Sequence, residues 1–149
     1  MKIEEELKTT RILSEHQKLH LNLMVSSSRV KSRINEKLKK FGLVSEQYNV
    51  LRILRGSHPG AMCIKDIHSR MIEKSSNTGR IVEKLLKKNY LIRTESPEDR
   101  RFYSINLTEK GLELLKKVDK EIDFDKIINP DLSEEELRML NSLLEKLRD

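Results

Sequence analysis

The sequence predicts a mainly α-helical fold with one small β-hairpin, arranged as a winged helix-turn-helix with flanking dimerisation helices. Apolar residues recur at helical spacing over residues 4–40 and again from residue 108 onward. Between these stretches, three short helical segments with tight connections form a helix-turn-helix pattern. After residue 90 the period changes to strand-like alternation, which predicts a hairpin, or wing, directly behind the third short segment.

Composition limits the class of protein. The chain has 149 residues, which favours one domain, and its 30 Lys and Arg against 24 Asp and Glu give a formal charge of +6. Apolar residues make up only 36% and there is no Trp, so the core of a single chain is thin. Helices that share a core with a second chain would relieve that shortage.

Other classes are excluded by what the sequence lacks. It has no run of 18 apolar residues and no signal-peptide pattern at its N-terminus, so we expect a cytoplasmic protein without a membrane partner. The single cysteine, Cys63, excludes an intramolecular disulfide and an all-cysteine zinc site. Without a glycine-rich phosphate loop or a Ser/His/Asp pattern, we expect neither an enzyme nor a bound cofactor.

The first predicted helix covers residues 4–40, allows a bend at the serine run 26–28, and ends at Gly42. Its apolar positions are Leu23, Val30, Ile34, Leu38 and Phe41. Its C-terminal half carries a run of cations, namely Arg29, Lys31, Arg33, Lys37, Lys39 and Lys40. A solvated helix face and a phosphate-facing one are both compatible with this charge.

Three short helices follow. Ser45 is the predicted cap of the second helix, and Gly56 its predicted end. The fourth begins near Ser75 or Ser76, either of which can cap it, and ends at Asn89, because Asn tolerates the left-handed conformation. The predicted inner faces of the three are Val50, Leu51 and Leu54; Ile64, Ile67 and Met71; and Ile81, Val82, Leu85 and Leu86.

The wing and the terminal helices complete the chain. Strands over 91–95 and 102–107 flank residues 96–99, where Ser96 and Pro97 favour a type I turn. Thr108 then caps a helix that Asn129-Pro130 breaks, and a capping box at 133–136 begins the last one. The apolar stripes of these terminal helices need a second apolar surface to pack against. The first helix of a second copy of the chain is the simplest candidate.

The fourth helix is the candidate for recognition of DNA. Its outward face contains Ser76, Asn77, Arg80, Glu83, Lys84 and Lys87. Asn and Arg match the edges of adenine and guanine in the major groove, and Ser75 or Ser76 at a helix N-terminus suits a phosphate. An ordinary solvated face with Glu83 and Lys87 as an i,i+4 pair remains the alternative.

The wing favours the DNA interpretation. Asp99-Arg100-Arg101 places two guanidinium groups where only turn residues are needed. An Arg at such a tip is suited to a narrow minor groove, where the negative potential is enhanced. The alternative is a turn-stabilising ion pair, which contributes at most ~1 kcal/mol when exposed.

Residues 43–111 resemble the MarR family of winged helix-turn-helix transcription regulators. The resemblance rests on the segments 43–51, 64–67, 76–85, 87–93, 99–101 and 107–111. It implies a homodimer, formed by residues 1–42 and 112–149, that binds a roughly palindromic operator in double-stranded DNA through residues 43–111. It also implies a small-molecule effector between the dimer helices and the DNA-binding lobe, and most members of the family are repressors.

By this resemblance Ser76, Asn77, Thr78 and Arg80 read the major groove, and Arg101, braced by Asp99, enters the minor groove. With the residues argued above, the predicted contacts are Ser75, Ser76, Asn77, Thr78, Arg80 and Lys84 on the helix and Asp99, Arg100 and Arg101 on the wing. Two positions depart from the family pattern: Gly79 stands where Thr or Ser is usual, and Asn89 where Gly is usual.

Alternative functions stay open at this point. A winged helix that docks proteins instead of DNA would also be dimeric, but its binding should not fall steeply with salt. His16 and His20, four residues apart with Glu15 nearby, have a spacing that can hold a metal ion. Cys63 is a candidate redox switch, although a lone Cys before an apolar helix is more often a small buried hydrophobe.

Overall fold

Seven α-helices and a two-stranded antiparallel sheet make up the residues described by the computed structural model, which are 1–95, 103–128 and 130–148. In chain order the elements are α1 (Ile3–Glu6), α2 (Glu15–Leu38), α3 (Ser45–Ser57), α4 (Ile64–Arg70), α5 (Thr78–Lys87), β1 (Leu91–Glu95), β2 (Tyr103–Leu107), α6 (Glu109–Glu121) and α7 (Glu134–Lys146). The predicted fold class, helical with one small hairpin, is confirmed.

The prediction of one helix over residues 4–40 is wrong, because the chain forms two. Ser14 starts α2 with a capping box: its hydroxyl accepts from the Gln17 N–H at 3.3 Å, and Gln17 Oε1 accepts from the Ser14 N–H at 2.9 Å. Just after α1, Lys8 has a left-handed backbone with φ 51°. Helix α2 then runs through the serine run 26–28 without a break, and Gly42, with φ 67°, ends the segment as predicted.

The predicted boundaries of α3 are also wrong. Ser45 is the first helical residue, and Val44 occupies the cap position, where its N–H donates to the Gln47 side chain at 3.1 Å. The helix continues through Gly56 to Ser57, so the glycine is an interior residue. The predicted left-handed Asn89 is confirmed by its φ of 61°.

The core lies between α3, α4, α5, α6 and the hairpin. Most of the predicted inner-face residues are buried, namely Val50, Leu51, Leu54, Ile67, Met71, Val82 and Leu85, while Ile64, Ile81 and Leu86 are half-buried. The sheet runs from the pair Leu91–Leu107 to the pair Glu95–Tyr103. Because Ile105 and Leu107 face the core, the helices hold the base of the wing in place.

A close backbone approach fixes the hairpin to α6. The Thr108 N–H donates to the Tyr90 carbonyl at 3.1 Å, and the Thr108 hydroxyl caps α6 by accepting from the Gly111 N–H at 3.1 Å. A Cβ on Gly111 would lie 2.3 Å from the Tyr90 carbonyl oxygen, far inside contact distance. Glycine is therefore required here by packing, although its φ is not left-handed.

The last helix has little contact with the rest of the chain. The predicted capping box is confirmed, since the Ser133 hydroxyl accepts from the Glu136 N–H and the Glu136 carboxylate accepts from the Ser133 N–H. None of the residues of α7 is buried. The predicted end of the preceding helix at Asn129 is wrong, because α6 ends at Glu121; Asn129 itself lies outside the described residues. Across the part of the chain that is described, no helix is long and apolar enough to cross a membrane.

Candidate nucleic-acid interface

Helix α5 begins with a cap other than the one that the sequence predicts. The cap is Asn77, not Ser75 or Ser76, and its Oδ1 accepts a hydrogen bond from the Arg80 N–H at 3.0 Å. Asn side chains favour this position because they satisfy one of the unpaired N–H groups at the helix start. The amide oxygen of Asn77 is therefore engaged in the helix cap, although the residue as a whole is exposed.

The outward face of α5 is cationic. Arg80, Lys84 and Lys87 are exposed, whereas Val82 and Leu85 on the opposite side are fully buried. Among the described residues, no hydrogen bond or ion pair engages the three cationic side chains. At Gly79 the fold leaves room for a side chain, since a Cβ there would meet only Asn77 Oδ1, at 3.7 Å.

Glu83, on the same face, does not form the i,i+4 pair with Lys87 that sequence spacing allows. Its carboxylate pairs instead with Arg93 on β1. The Arg93 guanidinium also lies 5.0 Å from the ring centroid of Tyr103 on β2. This chain of contacts links the recognition helix to both strands of the wing.

Thr78 is placed differently from the other predicted contacts. It is only 4% exposed, and its hydroxyl shares a hydrogen bond of 2.8 Å with Nδ1 of His68 on α4. Its position on α5 is therefore on the inner side, away from the cationic face. No local pattern in the sequence predicts this partner of Thr78, because the contact between His68 and Thr78 depends on how α4 and α5 pack.

The two serines lie beside the start of α5. Ser75 and Ser76 line a shallow groove of about 280 Å³ together with Asn77, Arg80 and Lys84. Glu46 at the start of α3 and Glu73 in the turn before α5 line the same groove and add carboxylates to it. Five of the six helix residues in the predicted contact set thus share one surface. The wing residues Asp99, Arg100 and Arg101 lie outside the described residues.

Most side chains of the cationic run over residues 29–40 form ion pairs or hydrogen bonds within the protein. Arg29 pairs with Glu6, Arg33 donates to the Ile127 carbonyl at 3.0 Å, and Lys40 pairs with Glu121. Lys31 pairs with two carboxylates, Glu46 and Glu73, each at 2.7 Å. These contacts favour a structural role for that charge over contact with phosphate.

The Lys31 cluster shifts the pKa values of its members. Its hydrogen bonds to Glu46 and then Glu73 raise the pKa of Lys31 above the usual value. The same Lys31 hydrogen bond is the main cause that lowers the pKa of Glu46. Both groups are therefore charged at neutral pH, and the cluster ties α2 to the start of α3 and to the turn before α5.

A second cavity of about 430 Å³ opens between α2, α3 and the segment after α6. Its wall includes Tyr48, stacked on Phe124 with ring centroids 5.2 Å apart, and Arg52, whose guanidinium lies 5.8 Å from the Tyr48 ring. Burial raises the pKa of the Tyr48 phenol, which keeps it protonated at neutral pH. The cavity offers an apolar surface with one cation at its edge, and sequence analysis could not locate it because three separate elements form it.

The candidate sensor residues gain no partners. His16 and His20 line an open pocket at the start of α2 with Leu13, Gln17 and Leu21. In the described ranges, no group of three or more His, Cys, Asp or Glu side chains could hold a metal ion. Cys63 is a half-buried free thiol just before α4.

The chain is similar to known proteins in both sequence and fold. A model of the MarR family matches residues 43–102. The HTH-type transcriptional regulator MhqR of Bacillus subtilis (strain 168) is 32% identical over 132 residues, which span 87% of this chain and 89% of that protein. SarZ of Staphylococcus epidermidis, also an HTH-type transcriptional regulator, is 33% identical over 60% of this chain and 60% of its own length.

Solved structures of known proteins share the fold of this chain. A MarR transcription factor from Planctomyces limnophilus, 32% identical, superposes with a TM-score of 0.69 over 91% of this chain and 98% of that one. A mutant MarR from E. coli complexed with operator DNA has the same fold, with a TM-score of 0.80 at 20% identity over 93% and 99% of the two chains. The identity and coverage of MhqR, together with the family match over the helix-turn-helix, show that this chain belongs to the MarR family of DNA-binding, winged-helix transcriptional regulators.

Proposed function

We propose that the chain acts as a homodimeric repressor that binds a palindromic operator and releases it in response to a small-molecule effector. The observation that carries the proposal is the outward face of α5, where Arg80, Lys84 and Lys87 are exposed and have no partner among the described residues. Cations left unpaired on a short helix are suited to phosphates and base edges. The mutant MarR from E. coli that shares this fold is complexed with operator DNA, which supports the same use of this surface in the present chain.

The proposed contacts divide by role. Arg80 in the first turn of α5 and Asn77 at its cap are both exposed, and we assign them to base edges. Ser75, Ser76 and Lys84 line the adjacent groove and suit phosphate oxygens. Thr78 supports the helix from inside, and Asp99, Arg100 and Arg101 remain the proposed minor-groove contacts of the wing.

Dimerisation is supported by the apolar face of α7. Met139, Leu140, Leu143 and Leu147 are each between 46% and 62% exposed, and none of the helix is buried. Leu19 and Met24 on α2 are also exposed, at 47% and 59%. An amphipathic helix of this kind is stable only against a second apolar surface, which another copy of the chain supplies. We therefore assign residues 1–42 and 112–149 to dimerisation and 43–111 to DNA binding.

The cavity beside Tyr48 is the proposed effector site. Its lining is apolar except for Ser45, Asn49, Arg52 and the phenol of Tyr48, so it suits a small apolar molecule that carries an anion or a hydrogen-bond acceptor. Asn49 also accepts a hydrogen bond from the Ile72 N–H at 2.9 Å, in the turn that precedes α5. A ligand in this cavity therefore touches the segment that positions the recognition helix.

Selection from a pool of random DNA duplexes tests the proposal. The full-length protein should enrich sequences with two inverted half-sites whose centres lie about one helical turn, ~34 Å, apart, because a two-fold dimer presents two copies of α5. Enrichment of a single unrepeated site would contradict the dimeric arrangement. Failure to enrich any sequence at a stated, moderate salt concentration would contradict operator binding.

A further inference from the structure

Helices α4 and α5 are joined by a polar contact that is largely out of solvent. Thr78, the first residue of α5, is 4% exposed, and its hydroxyl lies 2.8 Å from Nδ1 of His68, which is half-buried in the last turn of α4. An apolar side chain of the same shape, Val, would fill the position of Thr78 without needing a partner. The Thr78 hydroxyl therefore contributes to stability only when it is hydrogen-bonded to the His68 imidazole, since a buried polar group left unpaired is destabilising.

The other side-chain contacts of this turn do not join α4 to α5. The Ile72 N–H donates to Asn49 on α3, and Glu73 pairs with Lys31 on α2. The Asn77 side chain caps α5 from the turn by accepting from the Arg80 N–H, a bond that does not involve α4. Among the described residues, the contact between His68 and Thr78 is thus the side-chain hydrogen bond that directly ties the two helices of the helix-turn-helix.

We infer that His68 is a positioning residue for sequence recognition: through Thr78 it sets the angle and height of the first turn of α5 in the major groove. The inference rests on the proposed function, in which α5 reads bases. Arg80 follows Thr78 by two residues, so a small rotation of the first turn displaces its guanidinium. Bonds to base edges tolerate displacements of only about 0.5 Å, whereas attraction to phosphates is far less dependent on geometry.

Two pairs of variants separate this role from a general effect on the fold. His68→Leu and Thr78→Val each remove the hydrogen bond, and Val keeps the shape of Thr. His68→Asn places an amide near the position of Nδ1, and Thr78→Ser keeps the hydroxyl, so these two serve as matched controls. Circular dichroism and sedimentation of each variant check that it is folded and has the same oligomeric state as the wild type.

The measurement is the affinity for the duplex enriched by the wild-type protein, divided by the affinity for random duplex of equal length. His68→Leu and Thr78→Val should each lower this ratio about tenfold, the size of effect expected for one lost hydrogen bond whose partner is left behind. The double variant should lose no more than the worse single variant, because both act through one bond. His68→Asn and Thr78→Ser should keep the ratio within about twofold of the wild-type value. The affinity for random duplex should be unchanged in every one of these variants.

Several results would overturn the inference. A wild-type ratio in both His68→Leu and Thr78→Val would show that the bond does not position the helix. A loss in His68→Leu that Thr78→Val does not share, or a loss on random duplex as well, would show that His68 contacts DNA itself. If His68→Leu does not fold, the affinity ratio of Thr78→Val is sufficient by itself to support or overturn the inference. These results differ from failure of the proposed function, in which the wild-type protein enriches no duplex at all.

Discussion

Lys31 Nζ lies 2.7 Å from a carboxylate oxygen of Glu73, so the long helix α2 is tied directly to the turn that precedes α5. The same ammonium group holds Glu46, at the start of α3, at an equal distance. A displacement of α2 relative to the helix-turn-helix must stretch or break these pairs. The cluster is therefore a physical connection between the proposed dimerisation region and the recognition helix.

The Lys31 cluster makes stability depend on pH in a defined direction. Because the pKa of Glu46 is below its ordinary value of 4.5 in the folded protein, the pair is stabilising above that pH and its contribution is lost as the pH falls through the lower pKa. Glu46→Gln should lower the free energy of unfolding at neutral pH by at most about 1 kcal/mol, since Lys31 is partly exposed. Urea unfolding at neutral and acidic pH should show this difference shrinking in acid. An equal difference at both pH values would mean that the ion pair is not its cause.

Arg80 should contribute sequence preference as well as affinity. If it pairs with a base, Arg80→Ala should cost about 1–3 kcal/mol on the selected duplex and relax the preference at one position in each half-site. Arg80→Lys keeps the charge but loses the bidentate geometry, so it should restore affinity for random DNA without the preference. Repeated selection with each variant provides the measurement. A uniform loss over all sequences would make Arg80 a phosphate contact.

Arg101 should respond to the width of the minor groove. Arg101→Ala should weaken binding most on duplexes whose half-sites have A·T-rich flanks, because a narrow groove concentrates negative potential. Fluorescence anisotropy with A·T-flanked and G·C-flanked versions of the same operator compares the two losses. Equal losses would assign Arg101 to plain contact with the backbone.

Leu140 should be needed for assembly. It is 46% exposed on the apolar face of α7, so Leu140→Glu should place a charge in the proposed dimer interface and shift the protein toward monomer. Ser142→Glu adds the same charge on the polar side of the same helix and serves as the control. Sedimentation velocity distinguishes the two variants, and an unchanged dimer in Leu140→Glu would place the interface elsewhere.

Two glycines should respond in opposite directions to the same substitution. Gly111→Ala puts a Cβ 2.3 Å from the Tyr90 carbonyl oxygen, so it should lower the free energy of unfolding by about 1–3 kcal/mol. Gly56 lies inside α3 with no atom near its Cβ position, so Gly56→Ala should raise stability by up to about 1 kcal/mol. Thermal or urea unfolding measures both. Similar stability of the two variants would refute the close approach at Gly111.

The sequence predicted the elements with strong local signals. The burial of Val82 and Leu85 follows from helical periodicity, the caps at Thr108 and Ser133 from side chains that satisfy helix N–H groups, and the left-handed Asn89 from its tolerance of that conformation. Each of these signals acts over a few neighbouring residues. They are readable without knowledge of the tertiary structure.

The errors occurred where two local signals competed or where contacts are distant in sequence. Ser75, Ser76 and Asn77 can all cap a helix, and only the packing of the turn selects Asn77. The partner of Glu83 is Arg93, ten residues away on a strand, because tertiary structure brings the guanidinium closer than helical spacing brings Lys87. The contact between His68 and Thr78 and the cavity beside Tyr48 depend on how separate elements meet, so periodicity alone could not find them.

The central claim is that a symmetric pair of these chains binds one DNA duplex through α5 and the wing. The most direct test is the stoichiometry of the complex between the wild-type protein and the duplex it selects, measured by sedimentation across a series of salt concentrations. We expect two chains per duplex and an affinity that falls linearly on a log–log scale with salt. One chain per duplex would contradict the symmetric pair, and an affinity that does not change with salt would contradict phosphate contact and favour a winged helix that docks proteins.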